Sequence, residues 1–556
     1  MTTAPGGLFE IVEEHVRGVP TRVFTLAPPT LRSVWDASAA HGDRTYLVYD
    51  DDRYTYLDAH RIVAALADRM IGTYGVRPGD RVAIAMRNYP EWAFAFWATV
   101  AVGAVAVPLN AWWSAAELEY GLRDSGSVVV FADDERAARL ESLPGDTSVR
   151  HVVLVRTDRE LPGSERFDVA VAGAADGDAT VLPAVDIHPD DDASIMYTSG
   201  TTGHPKGAVA THRNYTAHLM NSVYRTMMMA AASGAQAPSP PAQPATLLTL
   251  PLFHVGGLQS FLLPFTAAGG KVVLMYRWDA VEALDLIERE SVSALAGVPL
   301  TVFQLLEAAA EQGRTLPSLS GLASGATIVP PELVRRIDRQ LESRVAPANG
   351  YGLTETSGAA VTNSGSEYLD RPDSVGRPIS PVMEIRVVGL DGVDVATGDV
   401  GEIWLKGPTV VRGYFGNDAA TAAAFTDGWF HTGDLGRLDA DGSLYVVDRL
   451  KDVIIRGGEN VYAAEVEGAL YEHPDVVEAA IIGVPHDRLG EEVGVVLRLR
   501  PGSSTTVDDI TAHVGSRLAA FKVPTRVWIR DQELPRNAAG KVLKRELRDS
   551  LVVGEH

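Results

Sequence analysis

Short apolar runs alternate with longer helix-like stretches along most of the chain. RVAIAM (residues 81–86) precedes EWAFAFWATV, SVVVFA (127–132) precedes a charged helical stretch, and KVVLMY (271–276) precedes AVEALDLIERES. Strand-like runs that alternate with helical patterns indicate βαβ units. The pattern therefore predicts an α/β fold in which helices pack on mainly parallel sheets.

The stretch at residues 92–109 carries no charge over 18 residues, about the length of a short membrane span. Gly103 and Pro108 interrupt it, and its second half, AVAVPL, is rich in β-forming residues. We therefore predict a buried helix that runs into a buried strand. The N-terminus has no basic segment followed by an apolar one, so we expect no signal peptide and a cytoplasmic enzyme.

The chain of 556 residues is too long for one hydrophobic core, which stops growing at roughly 250–300 residues. Its character changes in DRLKDVIIRGGENV (448–461), where charges lead into a short strand and a Gly-Gly turn. We therefore predict two domains, residues 1–449 and 450–556. Residues 231–245, rich in Ala, Pro, Ser and Gly, are typical of a surface loop, and a tolerated insertion is favoured over a lid.

Composition narrows the range of functions. Hydrophobic residues make up 46% of the chain and charged residues 22%, which is usual for a globular protein. A formal net charge of -23 argues against nucleic-acid binding and against a polybasic membrane contact. The chain has no cysteine, so disulfides and thiolate metal sites are excluded and any thiol chemistry must use an external thiol.

The most specific motif is YTSGTTGHPKG (residues 197–207), which follows the strand-like run ASIMY. Its glycines let backbone N–H groups approach phosphate oxygens, its hydroxyls add donors, and its lysine adds a positive charge. The spacing of a Walker A loop is absent. The motif predicts phosphate binding by Thr198, Ser199, Gly200, Thr201, Thr202, Gly203 and Lys206.

With this motif the sequence resembles the adenylate-forming superfamily of acyl-CoA synthetases, peptide-synthetase adenylation domains and luciferases. The resemblance extends over nearly the whole chain, and further motifs follow in the order of that family. It implies a large N-terminal multi-sheet α/β domain (1–449) with the acyl and ATP sites. It also implies a small, mobile C-terminal α+β domain (450–556) with a catalytic lysine.

Three further motifs resemble the ATP site of this family, namely SGAT (324–327), NGYGLTET (349–356) and TGDL (432–435). The resemblance implies that Tyr351 stacks on adenine, Thr354 contacts the α-phosphate and Glu355 ligates Mg²⁺. Magnesium is suited to such a site because it takes one or two carboxylates together with phosphate oxygens. The further residues implied for ATP are Gly325, Ala326, Thr327, Asn349, Gly350, Gly352, Asp434 and Arg449, the last two beside the ribose.

The remaining residues implied by the resemblance concern the acid and the thiol. His254 in PLFHVGG (251–257) borders the carboxylate, and Lys541 in PRNAAGKVLK (535–544) matches the catalytic lysine. Lys451 matches the hinge, and Gly457 and Gly458 resemble the turn that lines the pantetheine tunnel. The acyl pocket is assigned to Phe253, Gly256, Gly257, Val298, Phe303 and Ser324.

The segments that contain these acyl-pocket residues are rich in small side chains, which suggests room for a medium-chain, long-chain or bulky apolar acid. No basic side chain lies within these segments. We therefore expect an ATP-dependent acyl-CoA synthetase that uses Mg²⁺, ATP and coenzyme A. It would form acyl-AMP and pyrophosphate, and then the CoA thioester and AMP. An acyl-AMP ligase that loads a carrier protein, and a non-catalytic binding protein of the same fold, are the alternatives. The oligomeric state, a homodimer included, stays open.

Overall fold

A computed structural model describes residues 3–143, 147–174, 180–198, 205–232, 243–325, 327, 329–389, 391–537 and 540–552. Most of the loop predicted at residues 231–245 lies outside these ranges.

Strands are distributed over the whole chain. In the described residues they are, in chain order, β1 (Ile11–Val16), β2 (Val19–Phe24), β3 (Thr45–Tyr49), β4 (Asp52–Thr55), β5 (Arg81–Ala85), β6 (Val105–Pro108), β7 (Val129–Asp133), β8 (His151–Val155), β9 (Ser164–Arg166), β10 (Asp192–Thr198), β11 (Lys206–Thr211), β12 (Ala245–Leu248), β13 (Lys271–Leu274), β14 (Ala294–Gly297), β15 (Gly321–Gly325), β16 (Ala346–Leu353), β17 (Gly358–Ser364), β18 (Arg377–Pro378), β19 (Glu384–Val388), β20 (Gly401–Lys406), β21 (Phe425–Thr426), β22 (Trp429–Leu438), β23 (Leu444–Arg449), β24 (Ile454–Arg456), β25 (Glu459–Val461), β26 (Val476–His486), β27 (Gly490–Leu499) and β28 (Arg526–Ile529).

Helices connect most of these strands. The α-helices of the same described ranges are α1 (Leu31–Ser38), α2 (Tyr56–Gly72), α3 (Pro90–Ala101), α4 (Ala115–Ser125), α5 (Asp134–Glu141), α6 (Phe167–Ala170), α7 (His212–Ala232), α8 (Val255–Gly257), α9 (Leu263–Ala267), α10 (Ala280–Arg289), α11 (Pro299–Glu311), α12 (Pro331–Gln340), α13 (Gly365–Asp370), α14 (Asp418–Ala424), α15 (Ala463–Tyr471), α16 (Val507–Gly515) and α17 (Lys544–Val552). A π-helical segment, Leu258–Leu262, joins α8 to α9, and short 3₁₀ turns occur at Ala39–His41, Ala172–Ala174, Thr354–Thr356 and Ala520–Lys522.

Two large sheets organise the N-terminal part. One has the strand order β11-β10-β6-β5-β7-β8-β9, and the other has the order β18-β17-β16-β15-β14-β12-β13-β3-β4. All strand pairs of the first are parallel except β10–β11, and the inner pairs of the second are parallel as well. The predicted α/β class with mainly parallel sheets is therefore confirmed.

Helix α3 lies at the centre of this part. All twelve of its residues are buried, and it contacts β3 of one large sheet and β5 and β6 of the other. Trp97 stacks on Trp35 and donates a hydrogen bond from its ring nitrogen to the Tyr46 hydroxyl at 3.0 Å. The uncharged stretch at 92–109 is thus a buried helix followed by strand β6, as predicted. In the described part of the chain, no helix combines the length and apolarity that crossing a membrane requires.

The residues after β23 form a separate sheet with the order β25-β24-β27-β26, to which β28 is added beside β27. Its core is a cluster that includes Ile454, Val466, Ile481 and Val495. Alternation of strands with α15, α16 and α17 gives this part the predicted α+β character. The predicted boundary after residue 449 falls between β23 and β24 and stays a prediction.

Candidate active site

The predicted motifs meet at the carboxyl ends of parallel strands, where open α/β sheets place their ligands. The residue pairs Gly297–Ser324, Ser324–Asn349 and Gly325–Gly350 lie side by side at the ends of β14, β15 and β16. SGAT and NGYG are therefore neighbours, although 21 residues separate their ends in the chain. Ala326 lies outside the described residues, and Thr327 is exposed.

The phosphate-loop motif is closed by an antiparallel hairpin of β10 and β11. Thr198 pairs with Lys206, and the Thr198 hydroxyl donates to the Lys206 carbonyl oxygen at 3.4 Å. The predicted phosphate ligands Ser199, Gly200, Thr201, Thr202 and Gly203 lie outside the described residues. The Lys206 Nζ lies 5.0 Å from the centre of the Tyr414 ring, so the base of the loop faces the segment that follows β20.

Glu355 is buried in the short turn that follows β16, with 7% of its surface exposed. Its Oε1 accepts a hydrogen bond from the Tyr414 hydroxyl at 2.8 Å, and burial raises the pKa of the carboxyl. Tyr414 therefore contacts both Lys206 and Glu355. The sequence did not predict this residue, because a single tyrosine in VVRGYFGN has the same appearance as a core aromatic. Thr354, before Glu355, is half-buried.

The surroundings of Glu355 fit a magnesium ion. Among the described residues, no group of three or more His, Asp or Glu side chains is arranged to hold a metal by itself. Magnesium usually takes one or two carboxylates and completes its shell with waters and substrate phosphates. A single buried carboxylate beside a phosphate-loop motif supplies that protein ligand.

Asp434 joins the predicted adenine and ribose residues into one cluster. Its Oδ2 accepts a hydrogen bond from the Tyr351 hydroxyl at 2.9 Å, and its Oδ1 lies 3.2 Å from the Nε of Arg449. Asp434 and Arg449 are direct cross-strand partners on β22 and β23. Burial and the neighbouring Asp434 raise the pKa of Tyr351, so its hydroxyl keeps its proton. The carboxylate retains further lone pairs for a diol.

Lys541 enters the same cluster from the C-terminal part. A Cβ added to the preceding Gly540 would lie 2.9 Å from Val298, so this loop packs on the residue that follows β14. Burial, together with the positive charge of Arg449, lowers the pKa of Lys541 to about 8, and Asp434 opposes the shift. The structure thus brings together Lys541, Arg449 and Asp434 from three distant motifs.

The lowered pKa of Lys541 predicts an alkaline limit on activity. An ammonium with a pKa of about 8 loses its charge as the pH rises through that value. We expect kcat/KM for ATP in adenylate formation, which reports the free enzyme, to fall over this range. In Lys541→Arg the guanidinium stays charged, so the residual activity should show no such fall. Pyrophosphate release between neutral and alkaline pH measures both profiles, and an identical fall in the variant would contradict the assignment.

The predicted acid-facing residues surround the start of α8. Burial lowers the pKa of His254 to about 4, so its ring is neutral at physiological pH. Phe253 is buried and meets the edge of Trp112 at a ring distance of 6.2 Å. A Cβ on Gly257 would overlap the Pro251 carbonyl oxygen, so the chain can turn there only with glycine. Gly256 is half-buried beside Leu250.

The other predicted acyl residues differ in their surroundings. Val298 is half-buried under the Gly540 loop, and Ser324 is 3% exposed with a hydroxyl that has no hydrogen-bond partner among the described residues. Phe303 packs on the core cluster around α11 and α12, and the guanidinium of Arg336 covers its ring at 5.6 Å. Phe303 is therefore enclosed by helix–helix packing.

The predicted hinge and tunnel residues lie in the turns after β23. Lys451 is exposed in the turn between β23 and β24. Gly457 and Gly458 form the two-residue turn between β24 and β25, with φ values of +61° and +91°, and both are exposed. A two-residue hairpin turn with two positive φ angles favours glycine at both positions. In this structure Lys541 is half-buried, whereas the Gly457–Gly458 turn is exposed.

Comparison with known proteins gives the family. Residues 34–415 match the AMP-binding enzyme family, and residues 465–541 match the C-terminal domain of AMP-binding enzymes. A feruloyl-CoA synthase of Amycolatopsis is 38% identical, over 89% of this chain and 93% of the relative. The long-chain-fatty-acid–CoA ligase FadD13 of Mycobacterium tuberculosis is 33% identical, over 90% of this chain and 93% of the relative.

Solved structures agree with these matches. The o-succinylbenzoate CoA synthetase of Bacillus subtilis, in complex with its acyl-adenylate, is 30% identical and superposes with a TM-score of 0.77 over 94% of this chain and 98% of that one. The same synthetase with ATP and a magnesium ion gives a TM-score of 0.75 at 31% identity, over 93% of this chain and 99% of that one. The chain therefore belongs to the AMP-binding enzyme family, in its branch of ATP-dependent, AMP-forming acyl-CoA ligases.

Proposed function

We propose that this ligase activates a medium-chain, long-chain or bulky apolar carboxylic acid, and that the residues described above perform both half-reactions. The proposal depends chiefly on one observation, which is the half-buried Lys541 beside Asp434 and Arg449. A cationic side chain at that place is suited to a reaction in which a carboxylate must approach a phosphate.

In the first half-reaction an oxygen of the acid attacks the α-phosphorus of ATP, and pyrophosphate leaves. A carboxylate is already ionised at neutral pH, so no general base is needed. Because both reactants are anions, the task is positional and electrostatic. Lys541 and Lys206 supply positive charge, and Asp434 accepts hydrogen bonds from the ribose. Mg²⁺, when held by Glu355 and phosphate oxygens, would neutralise phosphate charge.

In the second half-reaction the CoA thiolate attacks the acyl carbonyl carbon, AMP leaves, and the thiol proton passes to solvent. We propose that the C-terminal part rotates about Lys451 between the two steps, as in hinge-type domain motions. The rotation would withdraw Lys541 and bring the Gly457–Gly458 turn to the acyl-adenylate. The half-buried lysine and the exposed turn support this exchange, because each is needed in a different step.

An apolar acid is favoured by the residues around α8. His254 is neutral, Phe253 and Trp112 are aromatic, and the predicted acyl segments contain no basic side chain for a second carboxylate. Two of the relatives named above, the feruloyl-CoA synthase and FadD13, act by their names on feruloyl and long-chain fatty acyl groups, which are largely apolar. Cytoplasmic location stays a prediction, and the oligomeric state stays open.

The test is pyrophosphate release by the full chain with MgATP and a panel of aryl, fatty and fused-ring acids, with and without CoA. Acid-dependent release that becomes multiple-turnover only with CoA, and that yields the acyl-CoA mass, is the expected result. Accumulation of acyl-AMP regardless of CoA would indicate a carrier-protein acceptor. Turnover confined to acetate or to dicarboxylates would overturn the proposed acid class.

A further inference from the structure

A buried glutamine in the π-helical segment has unused hydrogen-bonding capacity. Gln259 is fully buried, and neither its amide nitrogen nor its amide oxygen has a hydrogen-bond partner in the described part of the chain. The Tyr215 hydroxyl lies beside this amide but outside hydrogen-bonding geometry, and it bonds the Ser194 hydroxyl at 2.7 Å. Single π-helical turns inside α-helices occur frequently at functional sites. Gln259 is therefore placed where a ligand is expected.

A buried histidine on α7 also has unused hydrogen-bonding capacity. His218 is 1% exposed, and neither of its ring nitrogens has a hydrogen-bond partner within the described ranges. A Cβ added to Gly358 would lie 2.9 Å from the His218 Cε1, so the imidazole lies against the first residue of β17. Gly358 pairs with Leu353 across the turn that holds Glu355. His218 therefore lies against the start of β17, on the side of that strand where α7 meets the π-helical segment.

The two side chains belong to one buried region. Tyr215 and His218 are one helical turn apart on the same face of α7. Gln259 lies beside Tyr215, and the π-helical segment contacts both α7 and β17. Each buried polar group that stays unpaired costs about 1–3 kcal/mol, and native proteins rarely leave them so. Two such side chains between the same elements indicate that something polar contacts them.

The charge state of this region limits which chemical group can contact His218 and Gln259. Burial lowers the pKa of His218 to about 4, and no charged neighbour contributes to the shift. The imidazole is therefore neutral and offers one donor and one acceptor, and the amide of Gln259 offers two N–H donors and an acceptor oxygen. A second carboxylate would be buried there without a countercharge, which is costly. A hydroxyl or a carbonyl oxygen matches these donors and acceptors.

We propose that His218 and Gln259 form the far end of the acyl site and select acids that carry an uncharged oxygen group, such as a hydroxyl or a ketone, remote from the reacting carboxylate. The inference rests on the proposed function and refines its acid class, from apolar acids to largely apolar acids with one polar group. Neither side chain takes part in the chemistry. We expect the two side chains to change the ratio of kcat/KM between an acid that carries the oxygen group and the same acid without it.

The experiment compares acids that differ by one hydroxyl, namely cinnamic acid with para-hydroxycinnamic acid and decanoic acid with omega-hydroxydecanoic acid. For the full chain, kcat/KM from CoA-dependent pyrophosphate release should favour the hydroxylated member of at least one pair by about tenfold or more, since a site built to bind a hydroxyl rejects the analogue that lacks it. Sebacic acid, with a second carboxylate, should be a poorer substrate than omega-hydroxydecanoic acid.

Gln259→Leu and His218→Leu should each reduce this preference at least several-fold, mainly through KM for the hydroxylated acid, with a smaller change for its partner. Gln312→Leu, the same substitution at an exposed position on the end of α11, is the matched control and should keep the wild-type ratio. The melting temperature of each variant shows whether it has folded. The shape-conserving Gln259→Met replaces any variant that has not.

The outcomes separate this inference from the proposed function. Equal kcat/KM within both acid pairs in the wild-type enzyme would overturn the inference without any variant. A wild-type preference that folded Gln259 and His218 variants retain would also overturn it, and would indicate that buried water satisfies both side chains. Each of these results still requires turnover of apolar acids, whereas turnover confined to acetate or dicarboxylates would contradict the proposed function itself.

Discussion

Replacement of Lys541 by alanine is expected to lower the rate of acyl-adenylate formation by about 10²–10³-fold, the usual cost of losing one preorganised charged group. The reason is the position of this lysine, which is half-buried beside Asp434 and Arg449 and would meet the phosphate charge that develops when pyrophosphate leaves. Thioester formation from supplied acyl-AMP and CoA should stay near the wild-type rate. Single-turnover assays of the two half-reactions measure this difference.

Lys522→Ala is the control for the loss of one positive charge from the C-terminal part. Lys522 pairs with Glu465 and belongs to a different element, so both half-reactions should be unchanged in this variant. An equal loss of both half-reactions in Lys541→Ala would contradict a scheme in which the lysine serves only the first. An unchanged adenylation rate would remove Lys541 from the proposed machinery.

The fold could be predicted from the sequence where one pattern has one structural solution. The uncharged stretch around Trp97 is too rich in large apolar residues for the surface, and Gly103 and Pro108 mark the change from helix to strand. Helix α3 and strand β6 follow from this pattern. The sites formed by contiguous motifs could be predicted as well, because parallel strands bring SGAT and NGYG to the same sheet edge.

Contacts made by single residues could not be predicted in this way. Tyr414 and His218 each stand alone among residues that resemble core positions, and no spacing relates them to a motif. Gln259 follows PLFHVGG by two residues, but nothing in the sequence shows that its amide is buried without a partner. The bond from Tyr414 to Glu355 joins segments 59 residues apart, and only the packing of the β17 and β20 regions brings them together. The hydrogen bond from Tyr351 to Asp434 was missed for the same reason, although both residues were predicted separately.

The position of the C-terminal part links these observations to catalysis. Its lysine loop packs on Val298, while its hairpin turn at Gly457–Gly458 is exposed. Under the proposed rotation both features move with the C-terminal part, so each would face the acyl-adenylate in a different orientation. Under the proposed mechanism, a change in the turn should leave the first half-reaction intact and affect the second.

Gly458→Trp is therefore expected to lower thioester formation from acyl-AMP and CoA by about 10²-fold, the effect of displacing reacting groups by about 1 Å. Adenylate formation should be nearly unchanged. Nothing in the described part of the chain lies within 4 Å of a Cβ at this position, so the indole would not disturb the packing described here, although the φ of +91° adds local strain. After rotation the same indole would occupy the path of the thiol. The two half-reactions are again assayed separately.

Gly442→Trp is the control that distinguishes obstruction of the thiol path from strain of the backbone. Gly442 is also exposed, has a φ of +76° and has open space around a Cβ, but it lies in the turn between β22 and β23. This variant carries the same strain and the same bulk, and we expect it to retain both half-reactions. If Gly458→Trp forms the thioester as fast as Gly442→Trp does, the turn is not part of the thiol path. If both variants lose the thioester step equally, backbone strain is the cause, and the effect of Gly458→Trp gives no evidence for the proposed rotation.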